Sequence, residues 1–514
     1  MKDEKLILTF DCGTQSTRAL LFNKSGDILA KEQEYFAPYF STEPGFTEQK
    51  WEVYWNAFCS VSKRIYKNNP ELAQSISAVT ITTIRDTCLC VDKNGKLLRD
   101  IIVWMDQRKA KCENPLPFKN RALFKIVGME DALQGQRKIT KSNWIIENQP
   151  EIWEKTDKYI MLSTYFNYVL TGKMIDSYAN QIGHIPFDYK NKKWQNKNSL
   201  TYHVFNVPQS KLIDLIEPGD VVGHITSEAS LATGIKEGTI LIATGSDKSC
   251  ETLGSGVLSE DKASLSFGTT ATIQFCTKRY VEPSTFLPAY PAVVKDYYNP
   301  EVQIYRGFWM ISWFKQEFAQ REVVEGKRLG IPAEEILNKM LAEVGPGSNG
   351  LLVQPYWDPM LKSPEAKGTI LGFTSDHTRK HIYRAIIEGI GYALYEGMLQ
   401  VERRMNTKVK YLVVSGGGSQ SDEICQITSD LFGLPVKRIQ TYEACGLGSA
   451  MVGFCTIGEY KTYEDAVNGM VRYVKEFVPN SENHKIYEKI YSELYSCVYW
   501  YLRPFYKKVK KIIK

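Results

Sequence analysis

One short plan occurs twice in this chain, and it limits the fold more than any other feature. LILTF–DCGTQST–RALLF (residues 6–22) sets two apolar, β-prone runs around a loop of glycine, threonine and serine, the pattern of a hairpin. About 255 residues later ASLSF–GTT–ATIQF repeats it, with Gly268-Thr269 in the place of Gly13-Thr14. At 514 residues the chain is too long for a single core. A hairpin of this kind in each half therefore implies two related domains, each offering a turn to a shared cleft.

The two copies differ at one position. Asp11 stands at the first turn, whereas Ser266 and Phe267 occupy that region of the second. Backbone N–H groups and hydroxyls at such turns can hold phosphate oxygens. If both turns do so, only the first also offers a carboxylate for Mg²⁺. Taken singly, each reads as readily as a plain hairpin.

Three further segments carry possible chemistry. In LIATGSDKSCETLGSG (241–256) an apolar run stops at glycine and puts Asp247 beside Lys248 in a loop of small residues. Asp after Gly-Ser is ordinary turn chemistry, so a turn former and a proton acceptor are both open. YLVV–SGGGSQS–DEICQITSDLFGLPV reads as strand, glycine loop and helix, with Ile424, Ile427 and Leu431 at helical spacing and Asp422 in the first turn. Its glycines would let a flat ligand approach the backbone, or simply make a tight turn. GPGSNG (345–350) matches the dinucleotide fingerprint, but follows a helical pattern and precedes an apolar run. The fingerprint needs the reverse order, so it reads as a connecting turn. No GxxxxGK[ST] occurs, so no P-loop is available.

Composition excludes several classes. Hydrophobic content of 43% and charged content of 24% are those of a globular protein. A net charge of +6, without a basic stripe interleaved with aromatics, implies no nucleic-acid partner. Eleven cysteines are scattered without paired CxxC motifs, as in a reduced, cytoplasmic protein. MKDEKLILTFDCG is too acidic, and its apolar run too short, for a signal peptide, and no stretch approaches a membrane span. YLRPFYKKVKKIIK, with Lys507, Lys508, Lys510, Lys511 and Lys514, reads as a solvated basic tail rather than a turn of helix on anionic lipid.

These segments together resemble the FGGY family of carbohydrate kinases, within the sugar kinase, actin and heat-shock ATPase superfamily. FDCGTQSTRALLF is similar to that family's first phosphate hairpin, and EPGFTEQKWEVYW to its PGxxEQxxxxxW segment. VWMDQRKA resembles its W-x-D-x-R stretch, and TGKMIDSYAN the end of the helical part of its substrate domain. LSFGTTAT resembles the second phosphate hairpin, SGGGSQSDEICQITSDLFGLPV the adenosine segment, and EACGLGSAMVG the helix after it. The resemblance implies an α/β fold of two ribonuclease H-like, actin-like ATPase domains around a central cleft. The N-terminal domain (1–252) would hold the sugar or polyol, and the C-terminal domain (253–514) the adenosine.

The family's general base is an aspartate after a glycine, followed by L-G-x-G and then the second hairpin. Asp247, Leu253-Gly254-Ser255-Gly256 and Gly268-Thr269 fall in that arrangement. Lys248 departs from it, where the family usually carries a neutral residue; it would either lower the Asp247 pKa through its charge or point to solvent. The resemblance also implies ATP and Mg²⁺, with Asp11 at the metal. Gly13, Thr14, Gln15 and Ser16 would lie at the γ-phosphate, and Arg18 on a phosphate or in a structural ion pair. Gly268 and Thr269 would meet the β/γ-phosphates, and Gly417, Ser421 and Asp422 the nucleoside. Phe308 stands where the family has a glycine, with Gly307 displaced by one, and Ser312 replaces a longer polar residue, so the wall near the nucleotide differs.

The acceptor is read from weaker signals. Arg85-Asp86 in TIRDTCLCVD stands where glycerol kinases carry Arg-Glu, and such a pair can bind vicinal hydroxyls as donor and acceptor; a surface ion pair is the alternative. Asp106 would add a carboxylate or brace Arg108. The run from Gly128 is longer than in glycerol or xylulose kinases, which would bring Gln134 and Gln136 to the pocket. The expected activity is transfer of phosphate from ATP to a hydroxyl of a small sugar or polyol, a pentulose or related ketose first. A glycerol-type or autoinducer-2-type acceptor is the alternative. A catalytically silent sugar- or nucleotide-binding module would have lost the base, which is retained. Beyond the small-molecule substrate, the expected partner is at most a second copy in a homodimer, with neither membrane nor nucleic acid.

Overall fold

Apolar runs of six to eight residues punctuated by Gly-Thr turns make buried strands, and each half of the chain builds one six-stranded sheet from them. The computed structural model describes residues 4–113, 116, 130–285, 287–358 and 365–512. The chain divides into two units. One comprises Met1–Gly254, Tyr290–Tyr297 and Cys445–Met470; the other comprises Ser255–Ala289, Tyr298–Ala444 and Val471–Lys514.

The first sheet contains β1 (Leu6–Cys12), β2 (Ser16–Phe22), β3 (Ile28–Tyr35), β4 (Ile76–Thr83), β5 (Val221–His224) and β6 (Ile240–Ile242). Their spatial order is β5-β6-β4-β1-β2-β3. Strands β1, β4 and β6 run parallel, and the other neighbours pair antiparallel. Every residue of β1 is buried, as expected of a strand covered on both faces. Side chains alternate between those faces. Leu6, Leu8, Phe10 and Cys12 join one core with α1 (Trp51–Asn68). That helix buries Tyr54, Ala57, Phe58, Val61 and Ile65 at steps of three and four, and Phe58 stacks on Phe10 at 3.9 Å.

The opposite face of β1 and β2 meets a helix from far along the chain. A Cβ at Gly446 would lie 2.3 Å from Leu20, one at Gly453 2.9 Å from Ile7, and one at Gly448 1.9 Å from the Cys250 carbonyl oxygen. Three glycines thus clear one side of α5 (Ala444–Thr456) and let it lie against the sheet and α2 (Asp247–Gly254). Asp11, Ile7 and Leu20 share this face by register.

The second sheet contains β7 (Lys262–Phe267), β8 (Ala271–Gln274), β9 (Glu301–Ile304), β10 (Tyr411–Ser415), β11 (Val436–Ile439) and β12 (Tyr473–Phe477), in the order β9-β8-β7-β10-β11-β12. Read from the other edge, it matches the first sheet strand for strand in relative direction. The duplication seen in two hairpins therefore extends to whole sheets. One difference lies in chain order: the edge strand β5 precedes its neighbour β6, whereas β12 follows β11. Against this sheet lie α3 (Arg379–Met405) and α4 (Asp422–Phe432), and α4 buries Ile424, Ile427 and Leu431. Residues 345–350 connect the helix Ala333–Leu341 to the strand Leu352–Gln354, as a connecting turn should.

The end of the chain departs from the expected solvated tail. Ser496–Ile512 forms a helix, α6, because Tyr499 and Tyr506 bury one side of it against Tyr356 and Ala366; Lys514 lies outside the described residues. All eleven cysteines are free thiols, and no helix among the described residues is long and apolar enough to cross a membrane.

Candidate active site

Strands β1, β4 and β6 end at one edge of the first sheet, with Asp11 opposite Thr82 and Ile242 opposite Thr80. Beyond the carboxyl ends of parallel strands is where α/β sheets take ligands. Asp11 is the penultimate residue of β1, Arg85-Asp86 follow β4, and Asp247 follows β6. Two hydroxyls tie the last two segments together. Thr82 donates to the Gly245 carbonyl at 3.0 Å, and Thr244 donates to the Ile81 carbonyl.

Asp247 opens α2 rather than sitting in an open loop. Its Oδ1 accepts the Lys248 N–H at 2.8 Å, and Arg85 Nε stands 3.9 Å from the same oxygen. The side chain remains 22% exposed. Burial pushes its pKa above the ordinary carboxylate value, and Lys248 and Arg85 pull back only part of that rise. Such a carboxyl binds a proton more tightly than a free one, which suits a general base.

Lys248 has a partner of its own. Its Nζ donates to Glu251 Oε2 at 2.8 Å, one turn along α2. Burial opposes the ammonium charge, but Glu251 and then Asp247 more than offset it, so its pKa is raised. Lys248 therefore points into an ion pair instead of solvent, and tunes Asp247 only as a neighbour.

At the first turn, Gly13 N–H donates to the Ser16 carbonyl at 2.9 Å. Arg18, opposite Asp11 in the register, places Nη1 2.8 Å from its Oδ2. Of the two roles open to Arg18, the structural ion pair is present. The Trp104 indole N–H donates to Thr14 Oγ1 at 3.0 Å, and Gln33 donates to Ser16 Oγ at 3.0 Å. Gln15 is exposed at the tip. Cys445 stands at the start of α5. Burial raises its thiol pKa, Glu251, Asp11 and Asp247 add to the rise, and Lys248 opposes it. Asp11, Asp247 and the Lys248–Glu251 pair thus act on one thiol.

Arg85 and Asp86 point to different partners. The Arg85 guanidinium lies 5.1 Å from the centre of the Tyr290 ring. Asp86 has φ 49° and turns its carboxylate to Lys141 Nζ at 2.7 Å and to His184, N–H at 3.1 Å and Nδ1 at 3.0 Å. Burial works against its charge, but Lys141 and His184 hold the carboxyl well below the usual range. Neither Lys141 nor His184 is among the site residues expected from the sequence. Lys141 opens the run KSNW, and His184 has no local signal beyond following TGKMIDSYAN.

The other expected acceptor residues are engaged elsewhere. Asp106 accepts from Thr47 N–H at 2.7 Å and from Arg108 Nε at 2.7 Å. Gln134 accepts from Arg137 at 3.2 Å, and the Gln136 carbonyl accepts from Thr140 at 2.7 Å. Of the longer run beginning at Gly128, Gly128 and Met129 lie outside the described residues, and Glu130–Ile139 forms a helix.

In the second unit, the carbonyls of Gly268 and Thr269 accept from the N–H groups of Phe308 at 3.1 Å and Trp309 at 3.3 Å. The displaced Gly307 has a steric cause: a Cβ there would lie 2.3 Å from Ala271 N. Phe308 stacks on Phe267 with ring centres 4.7 Å apart, and Ser312 is exposed. Nothing stands within 4 Å of a Cβ built on Gly417. Ser421 caps α4 through the Ile424 N–H at 3.2 Å. Asp422 pairs with Arg438 at 2.8 Å and with Lys475, which hold its pKa down.

Comparison with known proteins decides the family. The N-terminal domain model of the FGGY family of carbohydrate kinases matches residues 6–254, and the C-terminal domain model matches residues 263–457. The chain belongs to this family. An uncharacterized sugar kinase of Escherichia coli is 26% identical over 486 residues, covering 94% of this chain and 91% of its own length. Xylulose kinase of Staphylococcus epidermidis is 26% identical over 493 residues, covering 95% of each. Gluconokinase of Bacillus subtilis is 26% identical over 487 residues, covering 94% of this chain and 93% of its own. Among solved structures, the ligand-bound xylulose kinase of Lactobacillus acidophilus matches with a TM-score of 0.80 at 22% identity, over 98% of this chain and 100% of that one. Plasmodium falciparum glycerol kinase with ADP matches at 0.75 and 19%, over 100% and 99%. This FGGY member is a carbohydrate kinase, a phosphotransferase with the two-domain actin-like ATPase fold of its family.

Proposed function

We propose that this FGGY kinase transfers the γ-phosphoryl group of ATP to a hydroxyl of a small sugar or polyol, a pentulose or related ketose first, with Asp247 as general base. The observation that carries the reading is the setting of Asp247: it heads α2 beyond β6, beside Arg85, with a carboxyl whose proton affinity burial has raised. An alcohol is a poor nucleophile at neutral pH, and a carboxylate within reach accepts its proton as the bond to phosphorus forms. Arg85 orients the acceptor oxygens by donation. Asp86 fixes Lys141 and His184 beside the acceptor.

Asp11 is a hard carboxylate donor on the face that leads to the first turn, and it fits Mg²⁺, which uses one or two carboxylates and otherwise phosphate and water. When bound, the ion neutralises charge on the phosphates. Gly13, Thr14, Gln15 and Ser16 contact the γ-phosphate, Gly268 and Thr269 the β/γ-phosphates, and the open surface at Gly417 takes the nucleoside. Ser421 and Asp422 hold the α4 terminus behind it.

ADP release over pentuloses, aldonates, polyols, deoxysugars and glycerol tests the reading. A pentulose is expected to stimulate release most; glycerol or an autoinducer-2-type sugar in that place would move the acceptor class. No stimulation by any of them, from protein that binds ATP, would leave a silent binding module and refute the kinase reading. Asp247→Ala is expected to retain ATP binding and lose roughly 10²–10⁴ in turnover, and unchanged turnover would remove Asp247 from the mechanism.

A further inference from the structure

The helix α6 has two faces, and only one has a partner inside the chain. Tyr499 and Tyr506 are buried, with Leu502 packed beside them. The other side carries Trp500, Tyr501, Phe505 and Ile512, exposed by 63%, 80%, 60% and 80%. At 100° per residue, Tyr501, Phe505 and Ile512 form one stripe at steps of four and seven, and Leu494 in the preceding turn extends it with 55% exposure.

Lys508 and Lys511 lie between and beside these side chains, whereas Lys510 falls on the side of Tyr499 and Tyr506. Ser496–Ile512 contains Arg503, Lys507, Lys508, Lys510 and Lys511 and no acidic residue. Arg503 and Lys507 lean toward Glu365, at 3.6 Å and 3.8 Å. Among the described residues no acidic group pairs with Lys508, Lys510 or Lys511. The helix lies beyond residues 263–457, the span that the C-terminal family model matches.

We infer that α6 is a membrane-surface element, which lays its Trp500–Tyr501–Phe505–Ile512 face into the headgroup region of an anionic bilayer while Lys508 and Lys511 meet the lipid charges. Two arguments favour lipid over a protein partner. Lysine is depleted in the buried centre of protein interfaces, yet here it is interleaved with the aromatics. Tryptophan and tyrosine, with an apolar body and a polar tip, suit the boundary between headgroup and acyl chain, and a helix with aromatics on one face and lysines beside them lies in that plane. The helix rests on the surface and does not span it, in line with the absence of a spanning helix among the described residues.

Co-sedimentation of the full chain with phosphatidylcholine vesicles, with and without phosphatidylserine, tests the inference. The protein should sediment with phosphatidylserine vesicles at low salt, stay in solution with phosphatidylcholine alone, and be released as salt rises. Each lysine near an anionic surface is worth about fivefold in partitioning, so joint Lys508→Gln and Lys511→Gln should weaken binding by roughly 25-fold. Trp500→Ser, Tyr501→Ser and Phe505→Ser together should abolish it, with melting temperature and kinase turnover unchanged. No sedimentation with phosphatidylserine vesicles, or binding that survives both sets of changes, overturns the inference. Light scattering that shows a dimer, made monomeric by the aromatic changes in protein that ignores vesicles, also overturns it and assigns the face to a second copy.

Discussion

Replacing Lys141 by methionine isolates the strongest buried charge interaction near the candidate site. Methionine keeps the unbranched stem and removes the charge. Lys141 is buried, and its Nζ donates to Asp86 Oδ2 at 2.7 Å and to the Asp86 carbonyl at 2.5 Å. Removing one partner of a buried pair costs about 3–5 kcal/mol, because the other charge is stranded. Asp86 keeps both contacts to His184, so the lower end, about 3 kcal/mol, applies. For a unit of this size each kcal/mol moves the melting temperature by about 2–4 °C, giving a fall of roughly 6–12 °C. Calorimetry of the full chain should show it in the transition of the first unit. Asp86→Asn in the same background should recover much of the loss, since asparagine tolerates the left-handed backbone at φ 49° and brings no charge.

The pH dependence has a definite sign. Lys141 and His184 depress the Asp86 carboxyl against the effect of burial. Its stabilisation is therefore complete above the unfolded value of about 3.9 and lost as the pH falls through the lower folded value. In the Lys141→Met protein the stranded carboxylate can be relieved by a proton, so the gap to the parent chain should narrow on acidification. A fall of less than about 2 °C, or a gap that widens in acid, would refute the reasoning.

The acidic limb of kcat/KM should lie above about 3.9, because burial raises Asp247. Lys248→Met should move it higher still, since a charge that lowers that pKa is removed, and a downward shift would contradict the assignment. Gly307→Ala places a Cβ 2.3 Å from Ala271 N; it should cost the second unit about 1–3 kcal/mol by overpacking, seen in urea unfolding, and raise the KM for ATP but not for the acceptor. Gly417→Val meets open space, so it should leave melting unchanged while raising the KM for ATP severalfold.

What was legible in the sequence were features set by neighbours along the chain. Apolar runs around Gly-Thr give both hairpins, and steps of three and four residues at Ile424, Ile427 and Leu431 give the buried side of α4. The residues around Asp247 left a turn former and a proton acceptor both open, and the family resemblance supplied the expectation of a base; Ser249, Cys250 and Thr252 gave too weak a helical signal to place it at a helix start. The signal for α6 was also present, as Tyr499, Leu502 and Tyr506 at helical steps, but five basic residues in the same stretch favoured a solvated tail. The Asp86–Lys141–His184 cluster was out of reach, because its members come from a strand end, a helix and a later loop with no common period. Neither could sequence spacing reveal that Tyr290 lies against Arg85, or that the edge strands of the two sheets enter in opposite chain order.

The late arrival of α5 has a consequence for how the protein is made. Its three glycines press against Leu20, Ile7 and Cys250, yet the helix begins about 190 residues after α2 ends. On the ribosome, the first sheet must wait with one greasy face uncovered while Ser255–Ala289 and Tyr298–Ala444 of the second unit are synthesised. A prematurely terminated product that carries Asp11 and Asp247 but stops before Ala444 lacks the wall beside them, and Cys445 with it. Completeness of the polypeptide is thereby a condition for enclosing this edge of the first sheet, so an aborted chain has Asp11 and Asp247 without the helix that packs beside them.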